Sequence, residues 1–278
     1  MTEQSGQMPG DAEFERPSPA RMYDYFLGGS HNFAADRELA EKYMRVLPDM
    51  PEISRANRRF LGRAVRYLAG PAGVDQFLDL GSGLPTQGSS HETARRLNPS
   101  ARVVYVDVDP VTVEFGRTLL EDTKGVEMLH ADLRDPRAIL RSDEVRGTLD
   151  FSRPVAVLMV AMLHFVPAAD DPAALVAAYR AATAPDSYLV VSHATSDYHP
   201  ATMSEAAQVY NSAAAQGMNF RSRAQVAALL AGYDLLPPGL VDVIHWRPDP
   251  GDSDPFNGDV TRYNLLAAVG RRTEDPSA

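Results

Sequence analysis

The stretch FLDLGSGLPT at residues 77–86 decides the fold of this chain. Its first residues, including Leu78 and Leu80, form a short apolar run typical of a buried strand, which leads into a turn containing Gly81 and Gly83. Glycine has no Cβ, so the backbone can turn sharply here and approach a ligand closely. In an α/β domain the first parallel strand ends at such a turn, and a nucleotide-like ligand binds there. An ordinary loop turn is the alternative interpretation.

Two acidic residues close the next apolar run, VVYVDVD at residues 103–109. Asp109 precedes Pro110, and an Asp N-cap with proline at the first helical position is a common helix start, so we assign Asp109 a structural role. Asp107 stands at the carboxyl end of the strand, where a carboxylate can accept both hydroxyls of a ribose. Its distance from Gly83 in the sequence is close to the ~20-residue gap between a glycine turn and a ribose-binding acid.

A third strand at residues 126–129 leads to Asp132 and Leu133. Asp132 lies just past the strand end, where its carboxylate could accept a hydrogen bond from the exocyclic amine of an adenine. A turn or helix cap formed with Arg134 is the alternative.

Two histidines follow the next two predicted strands. Residues 155–163 form a continuous apolar run, typical of a central parallel strand, and lead to His164. Residues 188–191 form a fifth strand that leads to His193. We expect both side chains to face the pocket as candidate general bases, and a structural histidine is the alternative for each. The sequence shows no metal-ligand cluster, so no metal site is predicted.

The N-terminal third divides into a tail and a helical extension. Residues 1–17 are rich in Gly, Pro, Glu and Gln, which predicts a disordered tail, and residues 18–70 are predicted to form a helical extension. The aromatic segment at 21–29 either fastens this extension to the core through a Gly-Gly turn or forms a lid over a ligand. The polar tips of such a lid would be Tyr23, Tyr25, His31 and Asn32, and His31 is a third candidate base.

A helix is predicted over residues 53–68, with one apolar stripe. Asn57 and Arg58 lie near the boundary of that stripe and could reach a ligand carboxylate. The opposite face is predicted to be solvated and carries Arg55, Arg59, Arg63 and Arg66.

Five strands alternate with helices, and two strands at 240–246 and 263–269 then pair directly. Alternation predicts an α/β fold with a doubly wound, mostly parallel sheet, to which the terminal hairpin adds an antiparallel strand. The main domain is predicted to span residues 71–270, and residues 271–278 are predicted to form a frayed tail. A dinucleotide-binding domain would need a third glycine where Thr86 stands, so an NAD-dependent oxidoreductase is a weaker alternative.

The composition limits the partners of the protein. The formal net charge of −10 disfavours nucleic acid, whose binding relies on Lys and Arg. The absence of cysteine excludes disulfides and thiolate zinc sites and fits a cytoplasmic location. No run approaches the ~18 apolar residues of a membrane span, and the N-terminus has no signal-peptide pattern. The sequence carries no signal for an oligomeric state.

Several segments together resemble one group of class I S-adenosylmethionine-dependent methyltransferases. The group is the bacterial, mainly actinomycete, "S-adenosyl methyltransferase" family, formerly catalogued as a domain of unknown function. The similar segments, within about residues 18 to 270, are ARMYDYFLGGSHNFAAD (20–36), GSGLPT (81–86), VVYVDVDP (103–110) and LHFVP (163–167). The resemblance implies a Rossmann-like class I fold, with a seven-stranded sheet whose last strand is antiparallel.

The resemblance also implies S-adenosyl-L-methionine as the cofactor. The glycine turn would contact its methionine part, Asp107 its ribose, and Asp132 with Leu133 its adenine. The residues predicted to bind the cofactor are Tyr23, Gly81, Ser82, Gly83, Asp107, Val108, Asp132 and Leu133. One departure from the class pattern is Pro85, which stands where a third glycine is frequent and stiffens the loop.

The expected function is in-line methyl transfer to a small molecule, in which the cofactor carries the reactivity and the protein positions the reactants. The aromatic N-terminal segment suits an apolar or aromatic acceptor. A non-catalytic regulatory protein that binds the same cofactor is the alternative from a different class.

Overall fold

The computed structural model describes residues 14–86, 88–214 and 217–273. Most of the predicted N-terminal tail and of the predicted frayed C-terminus therefore lies outside the described residues. The described strands form one mixed sheet of eight strands in the order β3-β2-β1-β4-β5-β8-β6, with β7 paired to β8. The strands are β1 (Gln76–Leu80), β2 (Arg102–Asp107), β3 (Val126–His130), β4 (Ala156–Val160), β5 (Tyr188–Ala194), β6 (Tyr233–Leu235), β7 (Val241–Asp242) and β8 (Leu265–Arg272).

Helices alternate with these strands. The α-helices are α1 (Pro19–Phe26), α2 (Ala34–Val46), α3 (Met50–Ala69), α4 (Ser90–Arg95), α5 (Pro110–Leu120), α6 (Pro136–Arg141), α7 (Asp143–Thr148), α8 (Pro172–Ala182), α9 (Pro200–Asn211) and α10 (Arg223–Leu229). Short 3₁₀ turns cover Leu163–Phe165, Ala168–Asp170, Val243–His245 and Val260–Arg262. None of the helices in the described part of the chain is long and apolar enough to cross a membrane.

The predicted α/β fold, with a mostly parallel sheet and an antiparallel last strand, is confirmed. Strands β1 to β5 pair in parallel, and β8 pairs antiparallel with β5, β6 and β7. The sheet has eight strands instead of seven because two short strands, β6 and β7, both lie along β8. The predicted strand at 240–246 shortens to β7, since the chain turns into a 3₁₀ helix at Val243.

Both faces of the sheet are covered, as the continuous apolar runs of its strands require. On one face, α3 packs Phe60, Ala64 and Leu68 into the same cluster as Phe77 of β1. On the other face, α8 contributes Leu175, Val176 and Tyr179 to a second cluster. These two layers make the doubly wound arrangement.

One arginine on α3 departs from the predicted solvated face. Arg63 is buried, and its guanidinium donates to the carbonyl oxygens of Trp246 and Val243 and pairs with Asp252 at 2.7 Å. The segment after β7 folds back over this side of α3. Arg63 therefore fastens that segment to the helix, whereas Arg55 stays half exposed beside Glu52.

A third hydrophobic cluster joins the N-terminal helices to α9. It contains Met22 and Phe26 of α1, Tyr43 of α2, and Met203 and Tyr210 of α9. Unlike α3, helices α1 and α2 do not belong to the clusters that cover the sheet faces. They pack instead across the space beyond the carboxyl ends of the central strands, which places them over the site.

Candidate cofactor and acceptor site

A deep cleft opens at the carboxyl ends of β1, β2 and β4, under the N-terminal helices. Ligands of open α/β sheets bind at this edge, where the strand order reverses between β1 and β4. Its empty volume, including the solvent-open mouth, is about 1770 Å³. The lining of the cleft extends from Gly81 and Asp107 at the sheet edge to Tyr210 of α9.

The glycine turn after β1 forms one wall of the cleft. Gly81 has φ +67° and Gly83 has φ +62°, a left-handed conformation that other residues rarely adopt. A Cβ on Gly81 would lie 2.1 Å from the Met162 sulfur, whereas one on Gly83 would meet only Ala20, at 3.8 Å. The turn is attached to the neighbouring strand because Gly81 and Ser82 both donate their N–H to the Val106 carbonyl.

Asp107 holds this turn from the end of β2. One carboxylate oxygen accepts the Gly83 N–H at 2.8 Å, and the other accepts the Asp109 N–H at 3.0 Å. The carboxyl is buried and lines the cleft, and burial raises its pKa to about 6. Asp109 caps α5 by accepting the Val111 N–H, as predicted, and it also pairs with Arg21 at 2.8 Å.

Asp79 is a second buried carboxyl in the cleft wall, and the sequence reasoning gave it no role. Burial raises its pKa to about 6, even though the Ser90 hydroxyl donates to it at 2.5 Å. The sequence does contain a signal for Asp79, because it is a charged residue within an otherwise apolar strand. Burying a charge is costly, so such a residue is a candidate for a functional role. Buried carboxyls with raised pKa values are typical of functional sites, and Asp79 and Asp107 both line this cleft.

The alternative predicted for Asp132, a turn with Arg134, is present. The Arg134 guanidinium donates to both carboxylate oxygens, at 3.0 Å to Oδ1 and at 2.6 Å to Oδ2. Burial alone would raise the pKa of Asp132, but these hydrogen bonds outweigh it and the pKa is lowered. Leu133 beside it is buried, and Val108 at the end of β2 is exposed; all of these residues line the cleft.

Tyr23 connects α1 to α3 within the cleft wall. Its hydroxyl donates to the Ser54 carbonyl at 2.9 Å and accepts from the Asn57 side chain at 3.0 Å. Burial raises its pKa, partly opposed by Arg58, whose guanidinium lies 5.6 Å from the centre of the ring. Arg58 lines the cleft and forms no ion pair with any residue that the structure describes.

The other predicted lid tips do not line the cleft, so that part of the lid prediction is wrong. Asn32 donates to Asp24 at 2.9 Å, and the backbone N–H of His31 donates to the same carboxylate at 2.8 Å. Asp24, which itself lines the cleft, thereby fixes the Gly-Gly turn and accepts the Asn32 amide. The His31 ring packs edge-on against Phe115, and Tyr25 lies outside the cleft, so His31 is not placed as a base.

The prediction that His193 faces the pocket is also wrong. Its ring is fully buried under the sheet edge and does not line the cleft. The Arg221 guanidinium lies 2.9 Å from Nε2 and can only donate, so Nε2 accepts and Nδ1 donates to the Ala194 carbonyl at 2.7 Å. Burial lowers the pKa of His193 to about 4.

His164 does line the cleft, on the 3₁₀ turn that follows β4. Its side chain is buried, and its Nδ1 has no hydrogen-bond partner among the described residues. Burial, with His193 and Arg221 nearby, holds its pKa well below its usual value, so the ring is neutral. Arg221 also fixes the turn, since it donates to the carbonyls of Leu163 and Val166 at 2.8 and 2.7 Å.

No group of three metal-ligating side chains occurs within residues 14–86, 88–214 and 217–273. The polar side chains that line the cleft include the buried carboxyls of Asp79 and Asp107, the guanidinium of Arg58 and the neutral ring of His164. Backbone N–H groups and buried acids near a glycine turn match a ligand that carries hydroxyls, an ammonium group and a carboxylate.

The strand order and the cleft together define a class I methyltransferase with a Rossmann-like fold. A family model described as S-adenosyl methyltransferase matches residues 5–273, and the chain belongs to this family. It is an S-adenosylmethionine-dependent methyltransferase, and S-adenosyl-L-methionine is its cofactor.

Solved structures resemble this chain over nearly its whole length. A protein from Thermobifida fusca YX, provisionally classed as a methyltransferase, is 40% identical with a TM-score of 0.88, and the match covers 96% of this chain and 99% of that one. A DUF574 family protein from Streptomyces avermitilis MA-4680 is 36% identical with a TM-score of 0.89, covering 94% and 99%. An O-methyltransferase family protein from Burkholderia thailandensis, 16% identical with a TM-score of 0.52, covers 95% of this chain and 67% of that one and shares the fold alone. None of the curated proteins matches this chain.

Proposed function

We propose that the cleft binds S-adenosylmethionine across the glycine turn and presents its methyl group to a small molecule held under α1, α2 and α9. The observation that carries this proposal is the meeting of three features in one cleft: the left-handed turn at Gly81, the Asp107 carboxylate bonded to Gly83, and the unpaired Arg58. In this arrangement Asp107 accepts the ribose hydroxyls, because a carboxylate is a strong acceptor at the end of a parallel strand.

The methionine part of the cofactor lies along Gly81, Ser82 and Gly83. Arg58 suits its carboxylate, since a guanidinium binds a carboxylate through two parallel hydrogen bonds. The buried Asp79 carboxylate suits its ammonium group, which would replace the solvation that burial removes. Both hydrogen-bonding positions of the Tyr23 hydroxyl are already used, so Tyr23 contributes the face of its ring to the cofactor.

The adenine lies between Val108 and Leu133, which line the cleft at the ends of β2 and β3. Asp132 receives the exocyclic amine. Asp132 can accept this hydrogen bond in addition to those from Arg134, because an ionised carboxylate has about four lone-pair positions.

A small-molecule acceptor is supported by the lining of the cleft. Apolar side chains of α1, α2 and α9 line the part of the cleft beyond the glycine turn. The net charge of −10 also disfavours nucleic acid. We further propose a cytoplasmic location, which the lack of cysteine suits.

Calorimetric titration with S-adenosylmethionine, S-adenosylhomocysteine and NADH tests the cofactor site. We expect micromolar binding of the two sulfur compounds by the wild type, its loss in Asp107→Ala, and wild-type binding in Asp122→Ala, a control at an exposed acid outside the cleft. Equal binding by Asp107→Ala, or tighter binding of NADH, would contradict the proposed residue roles.

A further inference from the structure

The cleft has a second part that the cofactor residues do not account for. We call it the apolar compartment and define it by Phe26, Tyr43, Phe165, Met203, Tyr210 and Met218, which line the cleft and belong to the third hydrophobic cluster. Among the described residues that line the cleft, the charged ones lie on α1, on α3 and at the ends of β1 to β3. None of the six side chains that define the compartment is charged. Asp24, the charged cleft residue of α1 among the described residues, already accepts from the Asn32 amide and the His31 N–H, so the compartment suits an uncharged ligand.

Aromatic rings form a continuous wall of the apolar compartment. The ring centres of Phe26 and Tyr43 are 6.3 Å apart, those of Tyr43 and Tyr210 are 6.0 Å apart, and those of Tyr210 and Phe165 are 5.7 Å apart. Methionine side chains complete the lining, and thioether sulfur makes favourable contacts with aromatic rings. A flat aromatic ring matches this lining better than a sugar or an amino acid does.

Two buried polar atoms in this part of the cleft lack partners. The Tyr210 hydroxyl and the His164 Nδ1 are both buried without a hydrogen bond to any described residue. His164 stands at the end of the aromatic wall, because its ring centre is 4.5 Å from that of Phe165. It also lies two residues after Met162, which packs against Gly81 of the cofactor turn. The protein encloses both of these atoms, whereas Nε2 of His164 is not enclosed and also forms no hydrogen bond to a described residue. A ligand in the cleft can therefore meet the His164 ring at Nε2.

The protonation state of His164 limits the kind of hydroxyl it can serve. A neutral imidazole accepts a proton, but one with a lowered pKa is a weak base. A phenolic hydroxyl, with a pKa of about 10 in its free form, is acidic enough for such a base. An aliphatic alcohol is far less acidic and would gain little from it.

We propose that the methyl acceptor is an uncharged phenol whose ring lies in the apolar compartment and whose hydroxyl donates to Nε2 of His164. This inference rests on the proposed function. As the phenolic oxygen forms its bond to the methyl carbon, the carbon–sulfur bond breaks, and its electron pair remains on sulfur and cancels the sulfonium charge. The phenolic proton passes to His164 Nε2 and then to water. The products are a methyl ether and S-adenosylhomocysteine.

Binding to the protein saturated with S-adenosylhomocysteine tests the acceptor class without any turnover. The phenol probes are 2-naphthol and 4-ethylphenol, and the matched compounds are 2-naphthoate, 2-(aminomethyl)naphthalene and decahydro-2-naphthol. We expect at least one phenol to bind tenfold more tightly than every matched compound. Binding of a charged analogue or of the saturated alcohol as tight as that of the phenols overturns the inference, and so does the failure of both phenols to bind.

The same titrations separate this inference from the proposed function. If S-adenosylhomocysteine does not bind at all, both the proposed function and the phenol inference are contradicted. If it binds normally but phenols are not preferred, only the phenol inference is contradicted and the proposed cofactor site stands.

His164 is tested by replacement and by a direct measurement on the wild type. His164→Asn is expected to lower the rate of methyl transfer to the bound phenol by ~10²–10⁴-fold, with phenol affinity changed less than threefold. His245→Asn, at an exposed histidine outside the cleft, is the control and should keep the wild-type rate. Should His164→Asn fail to fold, the ¹⁵N shifts of the wild-type His164 ring decide. Addition of the phenol must move the Nε2 signal, and an unmoved signal contradicts the assignment.

Discussion

The Gly83 N–H donates to the Asp107 carboxylate at 2.8 Å, so the turn after β1 and the acid after β2 form one unit. A ligand that bonds to Asp107 must therefore also meet the glycine turn. This coupling makes cofactor binding sensitive to the charge of a single buried carboxyl, whose pKa burial raises to about 6.

Cofactor affinity should depend on pH through Asp107. Ribose hydroxyls donate to the ionised carboxylate, so binding requires the deprotonated form, which dominates above about pH 6. We expect the dissociation constant of S-adenosylhomocysteine to be flat from pH 7 to 8 and to rise at least tenfold per pH unit below 6, because protonation of Asp79, whose pKa is also about 6, weakens binding as well. Calorimetry across this range measures it. In Asp107→Asn the rise should be less steep and keep only the part that Asp79 contributes, and a wild-type pH profile in the variant would contradict this account.

Gly81 is expected to be intolerant of even one methyl group. Gly81→Ala adds a left-handed alanine, which costs about 1–3 kcal/mol, and it places a Cβ 2.1 Å from the Met162 sulfur. We expect thermal unfolding to show a large loss of stability, and calorimetry to show lost cofactor binding.

Gly88 supplies the matched control for this change. It has φ +74°, and an added Cβ would meet nothing within 4 Å, so Gly88→Ala isolates the backbone cost from the collision. If both variants lose the same amount of stability, the collision with Met162 is unimportant. If the double variant Gly81→Ala/Met162→Ala recovers part of the stability lost in Gly81→Ala, the collision accounts for that part.

Local sequence signals account for the parts of the fold and site that were predicted. The buried strand before Gly81 and the N-cap at Asp109 each depend on residues within a few positions of one another, and the place of Asp107 at a strand end follows from the apolar run before it. Backbone rules and strand ends decide such features, whatever the rest of the chain does.

Contacts between distant segments account for what was not predicted. The burial of Arg63 depends on Trp246, 183 positions along the chain, and the orientation of His193 depends on Arg221. Both side chains carry polar groups that the sequence alone assigns to solvent or to a ligand. Asp79 differs from Arg63 and His193, because its position within an apolar strand can be seen in the sequence without knowledge of distant contacts.

Arg58 should contribute to cofactor binding through the carboxylate of methionine. Removal of a hydrogen-bonded charge pair costs about 1.5–3 kcal/mol, so Arg58→Met should weaken S-adenosylhomocysteine binding by roughly 10- to 150-fold. Arg55→Met is the control, since Arg55 lies on the same helix, half exposed and paired with Glu52. Adenosine lacks the carboxylate, so its affinity should be equal in both variants; a loss of adenosine binding in Arg58→Met would indicate a general disturbance of the cleft.

Asp79 should lower the stability of the ligand-free protein near neutral pH. Its pKa is 3.8 as a free side chain and about 6 in the folded protein, so the folded state holds the proton more tightly. The stability that this proton contributes is complete below pH 3.8 and is lost as the pH rises through about 6. Asp79→Asn, which keeps an oxygen for the Ser90 hydroxyl, should raise the free energy of unfolding by roughly 1–3 kcal/mol at pH 7.5.

Denaturant unfolding at two pH values checks the sign of this effect. Near pH 4 the variant and the wild type should have nearly the same stability, because Asp79 is protonated in the folded protein there. A variant that is less stable than the wild type at pH 7.5 would mean that the carboxylate is stabilised in the fold and not penalised by burial.

Arg221 should act as a positioning residue for His164. It is buried, pairs with no acid among the described residues, and joins the His193 ring to the two carbonyls that flank the His164 turn. Arg221→Met removes all three bonds at similar length, and we expect kcat for a phenol acceptor to fall about 10- to 100-fold while S-adenosylhomocysteine affinity stays within threefold. Arg221→Lys, which can still donate to one carbonyl, should recover part of kcat. A purely structural role would lower stability and cofactor binding together, so a parallel loss of both in Arg221→Met would show that Arg221 supports the domain as a whole and does not specifically orient His164.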